Sequence, residues 1–167
     1  FDDGPTKDYT AKILAVLDKS NVPATFFCVG DNVKNHPSFY KEIITRGHAV
    51  GNHTMRHLNG WETSSQEYLL DIENASNYIK SNLFRPPYGK INLKAIRKIK
   101  KKYDIIMWDV IGGDFDNNCT VKSVITNVLN NVKAGSIIVL HDNKNFGEKT
   151  LSALPKIIEG IKAKNLT

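Results

Sequence analysis

His53 and His57 stand four apart in Gly51-Asn52-His53-Thr54-Met55-Arg56-His57, and the same chain carries an acidic pair, Asp2-Asp3. Two imidazoles and one carboxylate form a facial ligand set for a divalent cation and leave open positions on the ion. A second carboxylate beside that ion can serve as a base. These residue types speak to chemistry more directly than to substrate.

Each motif also has a plainer reading. Phe1-Asp2-Asp3-Gly4-Pro5 reads alone as an acidic turn. Side chains of adjacent strand residues point to opposite faces, so both carboxylates can serve one site only where the backbone turns. Gly4 and Pro5 supply such a turn. The histidine spacing resembles that of the zincin helix, but Thr54 stands where His-Glu-x-x-His needs its glutamate, which excludes that protease reading. With the acidic pair present, a set of two histidines and one aspartate is favoured over unrelated surface histidines. His36 and His48 lack such partners and read as structural or exposed.

Two further segments join the set. Arg85-Pro86-Pro87-Tyr88-Gly89 is stiffened by consecutive prolines. It reads either as a rigid turn or as an arginine held against a carboxylate, with backbone N–H groups aimed into a pocket. Ile138-Val139-Leu140-His141-Asp142 ends an apolar strand in an ionisable ring. Val139 and His141 share a strand face, so Val139 can line whatever pocket His141 serves. Asp114 and Asp116 form a second acidic cluster able to orient that ring.

These residues need a scaffold, and the hydrophobic pattern supplies one. Strand-like runs occur at residues 24–30, His48–Thr54, Leu83–Pro86, Asp104–Val110 and Ser136–His141. Helical spacing occupies Tyr9–Lys19, Val33–Arg46, Ser65–Lys80, Leu93–Lys101, Val121–Val132 and Leu151–Lys162. Strand–helix alternation implies a parallel sheet, open or closed into a barrel. The polar motifs fall just after strands, and in a barrel those C-terminal ends form one face where active sites gather. No internal repeat or linker interrupts the pattern. Both ends read as cut, which predicts one domain excerpted from a longer protein.

Composition narrows the function classes. A chain of 167 residues, 41% apolar and 24% charged, suits one folded domain with a real core. No apolar run approaches the ~18 residues that would span a bilayer, and no targeting segment is visible. The net charge of +6 comes from lysines at Lys100-Lys101-Lys102 and along the C-terminal segment. That is a solvated-helix pattern and not the aromatic-interleaved basic stripe of a nucleic-acid binder, so no nucleic-acid partner is expected. An anionic wall polymer or membrane surface nearby fits the charge better. Two cysteines, Cys28 and Cys119, make no disulfide framework, and Cys28 reads as a small buried hydrophobe.

Taken together the five segments resemble the polysaccharide deacetylase family, the NodB-homology domain of carbohydrate esterase family four. Asp-Asp-Gly, His-Thr-x-x-His, Arg-x-Pro-Tyr, a Trp-containing segment ending in an acidic residue, and hydrophobic-x-His follow the family's order across essentially the whole chain. Val22-Pro23-Ala24-Thr25-Phe26-Phe27 and Arg46-Gly47-His48-Ala49-Val50-Gly51 are also similar to the family's phrasing. The resemblance implies an irregular (β/α) barrel of seven to eight strands, with terminal strands missing here. It implies Asp3, His53 and His57 as metal ligands, Asp2 as general base and Arg85 as the arginine that holds it. It further implies His141 as general acid, Asp114 as its orienting partner, and the Tyr88 N–H at the oxyanion. Pro87, Val139 and Phe115 are expected around the acetyl group.

Two positions depart from the family pattern. Ile111 and Phe115 in Ile111-Gly112-Gly113-Asp114-Phe115 replace an acid and a tryptophan, leaving Asp109 or Asp116 as substitutes for the lost acid. Val139 stands where leucine is usual. The activity implied is removal of N-acetyl groups from N-acetylglucosamine-type residues of peptidoglycan or a chitin-like polymer, by an exported monomer using zinc, or else cobalt, nickel or manganese. The alternatives are an O-acetyl xylan esterase, a cyclic amide hydrolase, and a non-catalytic glycan-binding domain.

Overall fold

A computed structural model describes residues 1–166. Five short strands lie parallel and in chain order: β1 (Asp2–Asp3), β2 (Thr25–Cys28), β3 (Ala49–Asn52), β4 (Leu83–Phe84) and β5 (Asp104–Ile105). A second parallel pair, β6 (Val110–Ile111) and β7 (Ile138–Val139), continues the wall on the other side of β1. The join is made where Asp2 N–H donates to Leu140 O (3.0 Å) and Asp142 N–H donates to Asp2 O (3.2 Å). The strands therefore run β6-β7-β1-β2-β3-β4-β5, an irregular (β/α) barrel of seven strands among the described residues.

Among the described residues seven helices wrap this wall: α1 (Thr10–Ser20), α2 (Gly30–Asn35), α3 (Pro37–Thr45), α4 (Ser65–Ser76), α5 (Leu93–Ile99), α6 (Val121–Asn131) and α7 (Gly147–Ala163). The three-to-four spacing of apolar residues decides which face each one buries. Ile13, Leu14 and Leu17 of α1 pack with Val124 and Val128 of α6 and with Leu154 and Ile157 of α7. A smaller core under α4 and α5 gathers Tyr68, Ile72, Ala95 and Ile99 around Phe84 and Tyr103. No helix among the described residues is long and apolar enough to cross a membrane.

Two expected elements are divided. The helix expected over Val33–Arg46 is two helices, because Pro37 lacks an N–H and disfavours helical backbone at His36 (φ −132°, ψ 55°). The strand expected over Asp104–Val110 is β5 and β6 with an irregular stretch between. Carbonyls that a ladder would use are instead committed to a side chain: Arg85 donates to Ile106 O (3.1 Å) and Met107 O (3.4 Å). The final helix begins at Gly147, one turn before the expected start.

Asp142 locks the barrel where β1 meets β7. Its carboxylate accepts from Gly4 N–H (3.0 Å) and Thr10 Oγ1–H (2.6 Å), and its own carbonyl accepts from Thr6 Oγ1–H (2.7 Å). A Cβ on Gly4 would lie 2.0 Å from Asp142 Oδ2, so only glycine admits this contact. Burial raises the Asp142 carboxyl to about 6, against the lowering effect of its Thr10 and Gly4 hydrogen bonds. A raised carboxyl binds its proton more tightly in the folded chain than in the unfolded one. Its contribution to stability therefore falls as pH rises from about 4 to about 6, by on the order of 2 kcal/mol. Asp142→Asn removes this titration, so the wild type should lose stability relative to the variant across that window. Urea midpoints taken from pH 4 to 7 check it, and parallel slopes for the two proteins would refute it.

Candidate active site at the C-terminal rim of the barrel

The site begins with a backbone constraint. Strand β1 ends at Asp3, whose φ of 81° is a left-handed conformation that a non-glycine residue rarely adopts. The turn lets neighbouring side chains serve one cavity. Asn32 Nδ2–H donates to Asp3 O (2.7 Å) and supports it. Asp2 is buried, and its Oδ1 accepts from Arg85 Nη1–H at 2.7 Å. Arg85 is itself buried, with its guanidinium 4.1 Å from the Phe27 ring centroid. The two backbone carbonyls at 106 and 107 complete its surroundings.

Asp3, His53 and His57 offer ligand atoms within 4.8 Å of one another. Asp3 Oδ1 lies 2.9 Å from His57 Nε2 and 3.4 Å from His53 Nε2. No aligned hydrogen bond reaches this buried oxygen. His53 Nδ1–H donates to Arg85 O (2.7 Å), and His57 Nδ1–H faces Tyr88 Oη (3.2 Å). Those outer bonds leave the Nε2 lone pairs facing Asp3, the tautomer a metal ligand needs. Two imidazole nitrogens and an orphaned carboxylate oxygen converging on one point fit a divalent cation. Burial alone would raise the Asp3 carboxyl; with protons on the facing Nε2 atoms in place of a cation, hydrogen bonds and charge from His53 and His57 outweigh it and hold it well below the usual carboxylate range.

The histidine pair sits in a loop after β3, not on a helix, with Thr54 (φ 64°) and His57 (φ 58°) both left-handed. Strain of about 1–3 kcal/mol per such residue persists only where surrounding bonds over-determine it. Asn52 Oδ1 accepts from Thr54 N–H at 2.8 Å. Asp71, buried on α4, accepts from Met55 N–H (2.8 Å), Arg56 N–H (3.0 Å) and Arg56 Nε–H (2.6 Å). Tyr88 (φ 60°) is a fourth left-handed residue at the site, in the single 3-10 turn Pro87–Gly89.

His141 faces the triad from the end of β7. Asp114 Oδ1 accepts from His141 Nδ1–H (3.0 Å), and Asp114 Oδ2 accepts from His141 N–H (2.7 Å) and Thr150 Oγ1–H (2.5 Å). Burial pushes the His141 pKa down, but the hydrogen bond and charge of Asp114, with Asp3 and Asp2 behind it, bring it above the ordinary histidine value. Phe115 and Phe146 meet this ring edge-on at 5.5 and 5.8 Å between centroids.

One cavity of about 640 Å³ brings Asp2, Asp3, His53, His57, Tyr88 and His141 to the same space. Val139 and Phe115 also line it, as expected from sequence. Pro87 does not: it is buried beneath the turn, where its carbonyl accepts from Lys90 N–H (3.0 Å), so its place is structural. Arg85 and Asp114 stand behind the lining, each on the residue expected for it. Neither Asp109 nor Asp116 replaces an acid at 111. Asp109 is tied to Ile137 N–H and Ser136 Oγ–H, and Asp116 caps a turn at Asn118 N–H. Ile111 instead presents an apolar side chain to the cavity.

Sequence reading missed Asn143 and Asp71. Asn143 Nδ2–H donates to Asp3 Oδ2 at 2.6 Å, which turns the other oxygen toward the histidines. Its position two residues after His141 was the available signal. Asp71 had none, being 16 residues beyond Met55 in chain order.

A barrel whose C-terminal rim gathers a candidate metal-ligand triad, a carboxylate held by an arginine and a histidine held by an aspartate has the parts of a metal-dependent hydrolase. The polysaccharide deacetylase family model matches residues 1–108, and the chain belongs to that family. It is 35% identical to a peptidoglycan-N-acetylglucosamine deacetylase of Bacillus cereus, over 97% of this chain and 79% of that one. A chitooligosaccharide deacetylase of Azorhizobium caulinodans is 28% identical, over 98% of this chain and 87% of its own. The crystal structure of a peptidoglycan N-acetylglucosamine deacetylase bound to an N-hydroxybenzamide superposes with a TM-score of 0.90 at 32% identity. That match covers 99% of this chain and 81% of the other. The family implies a divalent metal, and the convergent triad suits one.

Asn143→Ala frees Asp3 to rotate and should weaken metal affinity by about 10- to 100-fold, the usual cost of losing a group that orients a ligand. Competition with a chelator measures it. Unchanged affinity would show that Asp3 is held by its backbone alone.

Proposed function

We propose that this protein is a divalent-metal-dependent hydrolase that removes N-acetyl groups from amino-sugar residues of a polysaccharide, with zinc as its ion. The observation that carries the reading is the convergence of the triad with Asp2 on one side and His141 on the other, all lining one cavity. The whole chain serves as one deacetylase domain. Asp2, Asp3, His53, His57 and His141 together supply every role in this reading, and we take the protein to act as a monomer. Likeness to wall and chitin-oligomer deacetylases supports work on a glycan outside the cytoplasm.

When bound, the ion supplies Lewis-acid polarisation of the acetyl carbonyl and acidifies water. The chain's own groups do the rest. Asp2, held by Arg85, takes a proton from the water that attacks the carbonyl carbon. The Tyr88 N–H donates to the carbonyl oxygen as charge develops there. His141 enters as imidazolium, with its Nδ1–H fixed on Asp114, and gives the Nε2 proton to the leaving nitrogen as the C–N bond breaks. Acetate and a free amine result. Val139, Phe115 and Ile111 keep the wall beside the acetyl group apolar.

The protein stripped and reloaded with zinc should release acetate from chitooligosaccharide or peptidoglycan fragments. Acetate from acetylated xylan alone would replace the amide reading with an ester one. Asp2→Asn should lower that release by about a hundredfold or more while zinc still binds. Full activity in the zinc-loaded variant would remove Asp2 from the role of base.

The raised His141 pKa makes a further expectation. A histidine whose pKa is raised keeps its proton at higher pH and loses it as pH climbs through the raised value. Asp114→Asn withdraws the charge that outweighs burial, so the alkaline limb of the pH–rate profile should move to lower pH. Imidazole titration by NMR on the metal-free protein should move the same way. An alkaline limb that stays in place would assign it to another group.

A further inference from the structure

Lys90 is the one lysine or arginine that lines the cavity among the described residues. It forms no ion pair among them, whereas Asp2 is already paired with Arg85 and Asp3 faces His53 and His57. Its Nζ lies 5.4 Å from the ring centroid of Trp61, within cation–π reach. Trp61 is 68% exposed and Tyr88 61% exposed, unusual for large rings that have a core available to them. The opposite wall is different, with Ile111, Phe115 and Phe146 making it apolar. The mouth of the site is therefore asymmetric.

The rim that carries Lys90 and Trp61 is held firmly. Asn92 Nδ2–H donates to Gly60 O (3.1 Å), and the same side chain caps α5 at Ala95 N–H (2.9 Å) and accepts from Ser65 Oγ–H (3.0 Å). Trp61 N–H donates to Asn59 Oδ1 (3.0 Å). The two loops touch through Gly60, where a Cβ would lie 2.5 Å from Lys90 O. An indole and an ammonium group are thus presented together by two loops tied to each other, and held side by side at the edge of the chemistry.

We infer that Lys90 and Trp61 form a subsite for a carboxylate-bearing sugar next to the residue that is deacetylated, so that an anionic amino-sugar polymer is favoured over a neutral one. This rests on the deacetylase reading above. A pyranose ring has an apolar C–H face that packs on an exposed indole, and its polar edge stays wet. A carboxylate on such a ring finds no cation on the apolar wall, and the Arg85 guanidinium is buried against Asp2. Lys90 is the cation within reach on the aromatic side. Glu62, whose charge reaches Tyr88, shares the Trp61 loop and opposes the effect. The net charge of +6 adds long-range attraction for an anionic strand.

The test uses one glycan in two forms: peptidoglycan strands freed of peptide, with lactyl carboxylates either free or converted to methyl amides. Affinity is measured by calorimetry on the full chain, and acetate release on the zinc-loaded enzyme. The free acid should bind and react better by about three- to tenfold, a ratio that shrinks as salt is raised. Lys90→Gln should bring the ratio close to one, and Glu62→Gln should widen it. Trp61→Ala should weaken both forms alike, because stacking ignores charge. Equal affinity for the two forms in the wild type, or a ratio untouched by Lys90→Gln, would overturn the subsite. Failure of the deacetylase reading looks different: no acetate from either form, whatever the two affinities are.

Discussion

The site depends on a conflict between strand geometry and chemistry. Two carboxylates adjacent in a strand point to opposite sides of the sheet, yet Asp2 and Asp3 reach one cavity. The left-handed backbone at Asp3 resolves this, and much of the surrounding structure exists to hold it. Asn32 takes the Asp3 carbonyl, Asn143 takes one carboxylate oxygen, and Asp142 grips the next peptide N–H at Gly4. Three side chains from α2 and from the segment after β7 therefore fix one dihedral angle. The same segment after β7 carries His141, so the pairing of β1 with β7 also sets His141 beside Asp2.

The remaining strain follows the same logic. Thr54, His57 and Tyr88 join Asp3 in left-handed backbone, and each lies at or beside the cluster of Asp3, His53 and His57. Such residues cost free energy, and bonds from rigid elements compensate for them. Asp71 on α4 gathers two backbone N–H groups of the histidine loop, and Arg85 spends its donors on Asp2 and on two carbonyls that would otherwise lengthen β5. The broken strand at 106–109 is thus part of the site. An ordinary ladder there would leave a buried guanidinium with only one partner.

The alternating pattern of strand and helix was legible because periodicity reports burial, and burial is what a barrel imposes on every element. The candidate ligands, acid and base stood out in the sequence because few residue types do that chemistry, and the fold brings them to one cavity. What escaped has a common physical origin. Asp71, Asn143 and Asp142 act through backbone N–H groups and ligand oxygens that only the folded chain brings near, and a lone Asp or Asn has no periodicity to betray it. The division of 33–46 carried its own signal in Pro37. The division of 104–110 did not, since it is set by Arg85 some twenty residues earlier. Pro87 reads as a lining residue from its motif, yet the turn it begins places it underneath.

Burial also explains why so polar a site is stable and receptive. Asp3 Oδ1 is shielded from solvent, has no aligned donor, and faces two imidazoles whose far nitrogens are already engaged. A buried acceptor without a partner costs about 1–3 kcal/mol. Asp3 Oδ1 is thus the atom of the site that a cation would satisfy. A ligand that binds only the folded chain stabilises it in proportion to its concentration over its dissociation constant. Because the ligands come from the ends of β1 and β3, that stabilisation acts across the strands of the barrel wall. Metal affinity and the integrity of the rim are for that reason two measures of the same geometry.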